Sequence, residues 1–222
     1  MYAQFYKEWV KTHRIVGLIV LLFTGAVIYS SLTLIQMLRV NGATATWGNV
    51  ILKDVILIPE IEYLPLIAGG LIAVAQYFPE ITDKRLKLTL HLPCTEDHII
   101  LSLMAYGSFV LTTVFVLSAV VLLSVIGLFF PREIVLLNFY TALPWFIGGY
   151  ATYMLTAWIL LEPAWRQRVY NTLVAVTLLS TFYMDVTQGA YQTFFIYLVL
   201  FTLLYVFLPF YSAARFKEGI LN

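Results

Sequence analysis

Charge is scarce in this chain. Of its 222 residues, only 11% are Asp, Glu, Lys or Arg, whereas 61% are hydrophobic. A soluble domain carries about 25% charged residues, most of them at its surface. The scarcity of charge therefore excludes a soluble globular protein and predicts an integral membrane protein. The mean hydropathy of +0.88 agrees with this class.

Cysteine and nucleotide-binding motifs are also scarce. Cys94 is the single cysteine, which excludes an internal disulfide and a Cys-x-x-Cys metal or redox site. The sequence contains no Gly-Lys pair, so the phosphate-binding loop Gly-x-x-x-x-Gly-Lys-Ser/Thr is missing. We therefore expect the chain not to be an enzyme by itself. The net charge of +1 gives no basic field for nucleic acid, and we expect no nucleic-acid partner.

Ionisable groups at membrane depth are another absence. The acids Glu80, Glu162 and Asp185 fall near the ends of apolar runs, whereas proton-coupled transporters place such groups near the midplane. All three histidines fall at the edges of these runs, so a haem held inside the bundle by this chain alone is not expected. The sequence thus predicts no metal and no cofactor on the chain.

Long apolar runs dominate what is present. A membrane helix needs about 20 mostly apolar residues, and the runs predict an all-α polytopic membrane protein. Residues 15–222 would form one transmembrane domain of six helices, with five as the competing count. The predicted spans lie near 15–37, 61–79, 99–129, 144–162, 170–186 and 192–212. The first run is too long for the core of a cleavable signal peptide and predicts a retained anchor. Two glycine pairs, 69–70 and 148–149, would permit local bends.

The distribution of Lys and Arg predicts the orientation. With six spans, one side receives Lys7, Lys11, Arg14, Lys84, Arg85, Lys87, Arg166, Arg168, Arg215 and Lys217, and the other receives Arg39, Lys53 and Arg132. Because basic residues in short loops favour the cytoplasmic side, both termini are predicted to lie in the cytoplasm. The segment 38–60 would then be the largest outer loop, and the pattern of its core VILKDVILI, residues 50–58, fits a short strand or a membrane-skimming helix equally.

A charged island interrupts the apolar runs between the second and third spans. Its residues 85–92 alternate between polar and apolar, which is a strand pattern, but a lone strand in a short loop has no partner for its backbone. A helix is therefore favoured. On a helix, Lys84, Lys87 and His91 share one face, Leu86 and Leu90 form a second ridge, and Leu88 and Leu92 form a third. Such a helix suits a position between two proteins, and a basic helix at lipid headgroups is the alternative.

The island and the start of the third span read EITDKRLKLTLHLPCTEDHIILSLMAYG. This segment resembles the membrane subunits of ABC-2 type exporters, in which the second span leads into acid-x-x-x-G-T-L-E-x-L-L-x-x-P. Thr89-Leu90 match the Thr-Leu pair, Leu92-Pro93 the closing part and Asp83 the leading acid. The sequence departs from the pattern at Leu88, where the family has Gly, and at His91, where it has Glu.

The N-terminal stretch QFYKEWVKTHRIVGLIVLL is similar to the amphipathic elbow helix that opens this family. The resemblance implies an interfacial helix over residues 1–14 that is separate from the first span. Phe5 and Trp9, four residues apart, would insert into the interface. Lys7, Lys11 and Arg14 would spread over the remaining faces, as an interfacial helix requires.

The resemblance implies a permease subunit of an ATP-driven exporter in the cytoplasmic (inner) membrane. Two membrane subunits, identical or homologous, would pair in the bilayer, and separate ATPase subunits would supply ATP and Mg. A coupling helix would dock the ATPase through Asp83, Lys84, Arg85, Leu86, Lys87, Leu90 and His91. Two alternatives stay open: a non-transporting scaffold or assembly subunit of a larger complex, and a haem-exporter-like subunit of cytochrome c maturation.

Overall fold

A computed structural model describes residues 2–82, 96–185 and 187–218. Within these ranges the chain is helical and contains no strand. The helices are α1 (Tyr2–Asn41), α2 (Ala43–Leu52), a short 3-10 helix (Pro59–Ile61), α3 (Leu64–Thr82), α4 (Glu96–Gly127), α5 (Arg132–Leu161), α6 (Trp165–Ser180), α7 (Phe195–Tyr205) and α8 (Phe207–Glu218). Helix α5 is central and contacts α3, α4, α6, α7 and α8.

Five helices in the described part of the chain are long and apolar enough to cross a membrane: Gln4–Asn41, Pro59–Thr82, His98–Gly127, Arg132–Leu161 and Phe195–Arg215. Hydroxyl groups within them donate to carbonyls of the same helix, as Thr24, Thr113 and Ser124 do to the residues four positions earlier. This satisfies polar groups where water is absent. The chain is an α-helical membrane protein, as its composition predicts. Helix α6, with 16 residues, is not among the five, so six spans are not confirmed.

Helix α1 runs without interruption through the N-terminal region. Its 40 residues correspond to a length of roughly 60 Å, about twice the roughly 30 Å hydrocarbon thickness of a bilayer. No break separates residues 2–14 from 15–37, so a separate elbow helix is not confirmed. The sequence offers no reason for a break, because neither proline nor a glycine pair lies between Tyr2 and Asn41. Helix α1 ends at Gly42, whose φ of 77° favours glycine.

The segment 38–60 is helical in its first half. Helix α2 covers Ala43–Leu52, and residues 53–58 have no regular structure before the 3-10 helix begins at Pro59. Asp54 lies just after α2 with a φ of 51°, a left-handed conformation that Asp tolerates better than most residues. Of the core residues 50–58, for which the sequence left a strand or a helix open, only 50–52 belong to a helix, and no strand forms.

The middle helices agree with the predicted spans to different degrees. Helix α4 covers Glu96–Gly127, close to the predicted 99–129, whereas α5 begins at Arg132, well ahead of the predicted start at 144. Pro131 precedes α5 and Glu133 lies in its first turn, both of which favour a helix start at this point. Pro144 lies inside α5, where it removes one backbone hydrogen bond without ending the helix.

The C-terminal region forms a helical hairpin with an irregular turn. Helix α6 ends at Ser180, and the residues described between it and α7 form bends and turns. Tyr183 in this turn stacks on Tyr63 with ring centroids 5.4 Å apart. The predicted last span is divided at Val206 between α7 and α8, because Pro209 lacks the N–H that would bond to the Tyr205 carbonyl.

Two glycines allow α3 and α5 to pack backbone against backbone. A Cβ on Gly69 would collide with the carbonyl of Gly149, and a Cβ on Gly149 would lie 2.7 Å from the Pro65 carbonyl oxygen. Both helices continue through these positions. Gly69 and Gly149 therefore serve close approach, and neither helix is interrupted at its glycine pair.

Two apolar clusters fill the bundle. One contains Ile72, Tyr77, Leu111, Tyr153 and Leu155, among others. The other contains Leu34, Ile61, Ile126, Phe130 and Trp145, among others. The first lies toward the end of the bundle where α1 begins and α3, α5 and α8 finish. We call this end the basic end, because it carries Lys7, Lys11, Arg168 and Arg215, and we call the other the opposite end.

Candidate functional site

The predicted coupling residues Asp83, Lys84, Arg85, Leu86, Lys87, Leu90 and His91 lie outside the described residues. The structure does describe both flanks of this segment. Helix α3 leads into it at Thr82, and α4 leaves it at Glu96. Both flanks lie at the basic end. The candidate site is therefore built from the side chains that hold these flanks in place.

Four charged side chains, which we call the Glu80 cluster, join α1 to the end of α3: Lys7, Glu8, Lys11 and Glu80. Lys7 Nζ and Lys11 Nζ each lie 2.9 Å from Glu80 Oε1. Lys11 Nζ also lies 2.8 Å from Glu8 Oε1 and donates to the Gln76 carbonyl at 3.0 Å. Glu8 and Glu80 are almost completely buried, at 2% and 1% exposure. Lys11 is thus the cation shared by two buried carboxylates.

A network of neutral polar groups continues from this cluster into the bundle. Gln76 of α3 donates through Nε2 to the Leu103 carbonyl of α4 at 2.7 Å. Its Oε1 accepts a hydrogen bond of 2.8 Å from the hydroxyl of Tyr153 on α5. The Gln76 Nε2 and Oε1 atoms, the Leu103 carbonyl and the Tyr153 hydroxyl are all buried and hydrogen-bonded. A buried polar network is stable under this condition. Helices α3, α4 and α5 are thereby fixed to one another one turn from the Glu80 cluster.

Helix α1 is also joined to α4 beside the cluster. The Thr12 hydroxyl donates to the Glu8 carbonyl at 2.8 Å and lies 2.6 Å from the Tyr106 hydroxyl. Thr12 donates its single hydroxyl proton to the Glu8 backbone carbonyl. The Tyr106 hydroxyl is therefore the donor of the second bond, and Thr12 Oγ1 accepts it. Phe5 packs edge-on against the Tyr106 ring at 5.6 Å. The start of α4 is therefore held by the same turns of α1 that hold the end of α3.

A second set of side chains, which we call the Glu162 cluster, joins the ends of α5 and α8: Glu162, Arg168, Ser212 and Arg215. Glu162 is fully buried; its Oε1 lies 3.2 Å from Arg215 Nη1, and its Oε2 accepts from the Ser212 hydroxyl at 2.9 Å. Arg168 of α6 donates to the backbone carbonyls of Leu160 and Glu162. These are carbonyls that the end of a helix leaves without partners. The second cluster thus fixes α6 and α8 to the end of α5.

The two clusters have the chemistry of structural junctions. Each of the three buried carboxylates lies within salt-bridge distance of a cation. Among the residues that the structure describes, no group of three or more His, Cys, Asp or Glu is placed to hold a metal ion. Removing one partner of a buried ion pair typically costs about 3–5 kcal/mol. The basic end is therefore a place where several helices are held rigidly together.

The predicted interfacial anchors divide between these contacts and the surface. Lys7 and Lys11 contribute to the Glu80 cluster, and Phe5 packs against Tyr106. Trp9 and Arg14 are exposed. Membrane insertion of these five side chains stays a prediction, but three of them have partners inside the protein that the sequence did not indicate.

The burial of Glu8, Glu80 and Glu162 is what the sequence missed. Glu80 and Glu162 were expected near span ends, where a carboxylate meets water, yet both are buried. A signal for Glu8 exists in its spacing from Lys11, since residues three apart on a helix are neighbours. The partners of Glu80 and Glu162, by contrast, lie on other helices, and no local pattern predicts pairs so far apart in the chain.

The opposite end holds its carboxylates differently. Asp185, in the turn between α6 and α7, is exposed. Its Oδ1 accepts hydrogen bonds from the backbone N–H and the hydroxyl of Thr187 at 2.9 and 2.8 Å. These bonds hold the pKa of the Asp185 carboxyl below its usual value. The residue shapes the turn that follows α6, and it lies near the end of an apolar run, as the sequence predicts.

Comparison with known proteins gives no relative from which a role could be transferred: the chain matches no protein-family model, no curated protein and no solved structure.

Proposed function

We propose that the chain is the membrane-spanning permease subunit of an ATP-driven ABC exporter. One observation carries the proposal. The segment 83–95, whose sequence resembles the coupling region of ABC-2 type exporters, is connected at its start to a helix end fixed by buried ion pairs. Glu80 lies only three residues before Asp83 and is held by Lys7 and Lys11 of α1. A coupling element requires such a rigid attachment.

The contacts around Glu80 support the transmission of force through the bundle. A displacement of 83–95 pulls on α3, and the ion pairs carry it to α1. The Gln76 side chain carries it to α4 and α5 through its bonds with Leu103 and Tyr153. Packed, bistable helix arrangements are the usual route by which a local push becomes a rigid-body transition. Four helices would thus respond together to a partner that moves this segment.

Six membrane passes with both termini in the cytoplasm complete the proposed topology. The hairpin of α6 and α7–α8 leaves the basic end and returns to it. Its turn contacts the opposite end, since Tyr183 stacks on Tyr63 and Gln188 donates to the Val55 carbonyl. Helix α6 with its turn supplies the fifth pass in this proposal. The basic end then faces the cytoplasm of the inner membrane, in agreement with its share of Lys and Arg.

The partners follow from the proposed role. A separate ATPase carries ATP and Mg and docks on 83–95. If this segment is helical, as its sequence predicts, Leu86 and Leu90 would form the apolar ridge of the contact, and Lys84, Lys87 and His91 its polar face. A second membrane subunit, identical or homologous, pairs with this one in the bilayer. Force from the ATPase, applied to both coupling segments, changes the access of the path between the two subunits. The chain itself catalyses no reaction.

Co-purification from native membranes tests the proposal. The full chain is solubilised and purified in wild-type form and with Leu86→Asp/Leu90→Asp. The control is Val40→Asp/Leu52→Asp, which alters two exposed apolar side chains at the opposite end. We expect a protein with a phosphate-binding loop and ATPase activity to accompany the wild type and the control, and to be lost from the Leu86/Leu90 variant. Recovery of non-ATPase membrane proteins alone, equal in all three, would favour the scaffold alternative.

A further inference from the structure

We propose that a cavity at the opposite end of the bundle binds a small organic cation with an apolar body. The cavity has a volume of about 420 Å³ and is lined by α2, Asp54 just beyond it, the start of α5 and the turn between α6 and α7. Pockets of roughly 300–1,000 Å³ with apolar walls and a few polar groups are typical of small-molecule sites. The size and the lining both fit this class.

The walls of the cavity are tied to one another. Trp47 of α2 packs against Phe130 with ring centroids 6.2 Å apart. The Gln188 side chain donates through Nε2 to the Val55 carbonyl. The N–H of Gly189 donates to the Thr141 hydroxyl of α5 at 2.9 Å. The three segments around the cavity are thus held by packing and hydrogen bonds, and the cavity is formed before any ligand binds.

The polar groups on the walls select for a cation. Asp54 and Glu133 contribute carboxylates, and no basic side chain lines the cavity. Within the described ranges no ion pair neutralises either carboxylate. The formal charge on the walls is therefore negative.

The apolar and aromatic walls define the rest of the ligand. Val50, Ile51, Ile134 and Leu137 present hydrocarbon to the cavity, and Trp47 adds an indole ring. A cation over the face of a Trp ring is attracted by the negative potential of that face. A ligand that combines a delocalised or alkylated positive charge with hydrocarbon groups satisfies both sets of walls. The inference does not depend on the exporter proposal, because the cavity lies at the end away from 83–95.

Binding of tetraphenylphosphonium tests this inference, with tetraphenylborate as a probe of the same shape and opposite charge. Binding to the full chain in lipid nanodiscs is measured by equilibrium dialysis, after subtraction of binding to empty nanodiscs. We expect saturable binding of the cation and none of the anion. Asp54→Asn/Glu133→Gln should weaken cation binding roughly tenfold. Asn tolerates the left-handed conformation at 54, and both carboxylates are exposed, so the fold is retained.

Two further variants keep the test decisive. Asp185→Asn removes an exposed carboxylate at the same end that does not line the cavity, and it should leave binding unchanged. Ile51→Trp fills the cavity without changing its charge and should lower cation binding even if the double carboxylate variant cannot be purified. Equal binding of the two probes, or wild-type affinity in both the carboxylate and the Ile51 variant, would overturn the inference.

Discussion

The two ends of this bundle hold their helices by different means. At the basic end, Glu8, Glu80 and Glu162 are buried and face Lys11, Lys7 and Arg215. At the opposite end, apolar contacts and aromatic pairs join the elements, such as the stack of Tyr63 on Tyr183. Of the carboxylates at that end, Asp54, Glu133 and Asp185 are exposed. Glu62 is buried without a cation in the described ranges, and Glu60 accepts a hydrogen bond from Ser30.

The buried ion pairs of the described residues thus lie at the basic end. Ionisable groups within a membrane protein are expensive and usually functional. Here they join the ends of α1, α3, α5 and α8 around the segment proposed to dock an ATPase. The opposite end leaves Asp54 and Glu133 exposed, and these two carboxylates are the basis of the proposed cation site. Four sites of substitution test this contrast, from the largest expected effect to the smallest.

Lys11→Met should destabilise the protein most. Lys11 is the one cation within salt-bridge distance of Glu8 in the described ranges, and its side chain is only 12% exposed. Its loss leaves a buried carboxylate unpaired and should cost about 3–5 kcal/mol of unfolding free energy. The matched control is Lys7→Met. Lys7 also contacts Glu80, but its side chain is 44% exposed, so the control should cost less than about 1 kcal/mol. Denaturation by SDS in mixed micelles measures both.

A double variant separates charge from packing at Lys11. In Glu8→Gln/Lys11→Met the unpaired carboxylate is gone, and most of the lost stability should return. Equal destabilisation by Lys7→Met and Lys11→Met, or no recovery in the double variant, would show that the Glu80 cluster does not hold the basic end as described.

Gly149→Ala should have the next largest effect. The new methyl group would meet the Pro65 carbonyl at 2.7 Å and the Phe115 ring at 2.8 Å. Since backbone and ring must both move, we expect a loss of about 2 kcal/mol. Gly70→Ala is the control, because its Cβ would lie an ordinary 3.7 Å from Thr152. Unfolding curves of the two variants should differ clearly; similar curves would mean that α3 and α5 do not pack backbone against backbone.

Ser212→Ala probes the Glu162 cluster. It removes the donor to Glu162 Oε2, and a hydrogen bond to a buried charged group contributes about 1.5 kcal/mol. The control Thr202→Val removes a hydroxyl that bonds only within its own helix, to the Leu198 carbonyl, and should be nearly neutral. A loss of stability that is no larger for Ser212→Ala than for Thr202→Val would contradict the role assigned to this cluster.

Asp54→Asn should have the smallest effect on stability. The carboxylate is exposed and unpaired within the described ranges, and Asn retains the left-handed backbone. We expect a change within about 0.5 kcal/mol, measured by the same denaturation. A large loss would mean that the opposite end also depends on charge, and the contrast between the two ends would not hold.

Particular residues show what the sequence could predict. Apolar runs with few charges predicted the membrane class and the extent of α4, because composition over about 20 residues decides both. The start of α5 was missed because Glu133 and Asn138 make its first turns polar. The partners of Glu80 and Glu162 were missed because they depend on how distant helices pack. The docking segment rests on its resemblance alone, since its residues lie outside the described ranges.

Photo-crosslinking from Cys94 tests the central claim most directly. Cys94 is the single cysteine and lies within 83–95, so a benzophenone maleimide can be attached there without other changes. The matched control is Cys94→Ser/Val40→Cys, which moves the probe to the opposite end. We predict an adduct between the Cys94 probe and a protein that carries a phosphate-binding loop, altered in yield by ATP and absent from the control. Adducts with lipid or with non-ATPase proteins alone would contradict the proposal that this chain is driven by an ATPase.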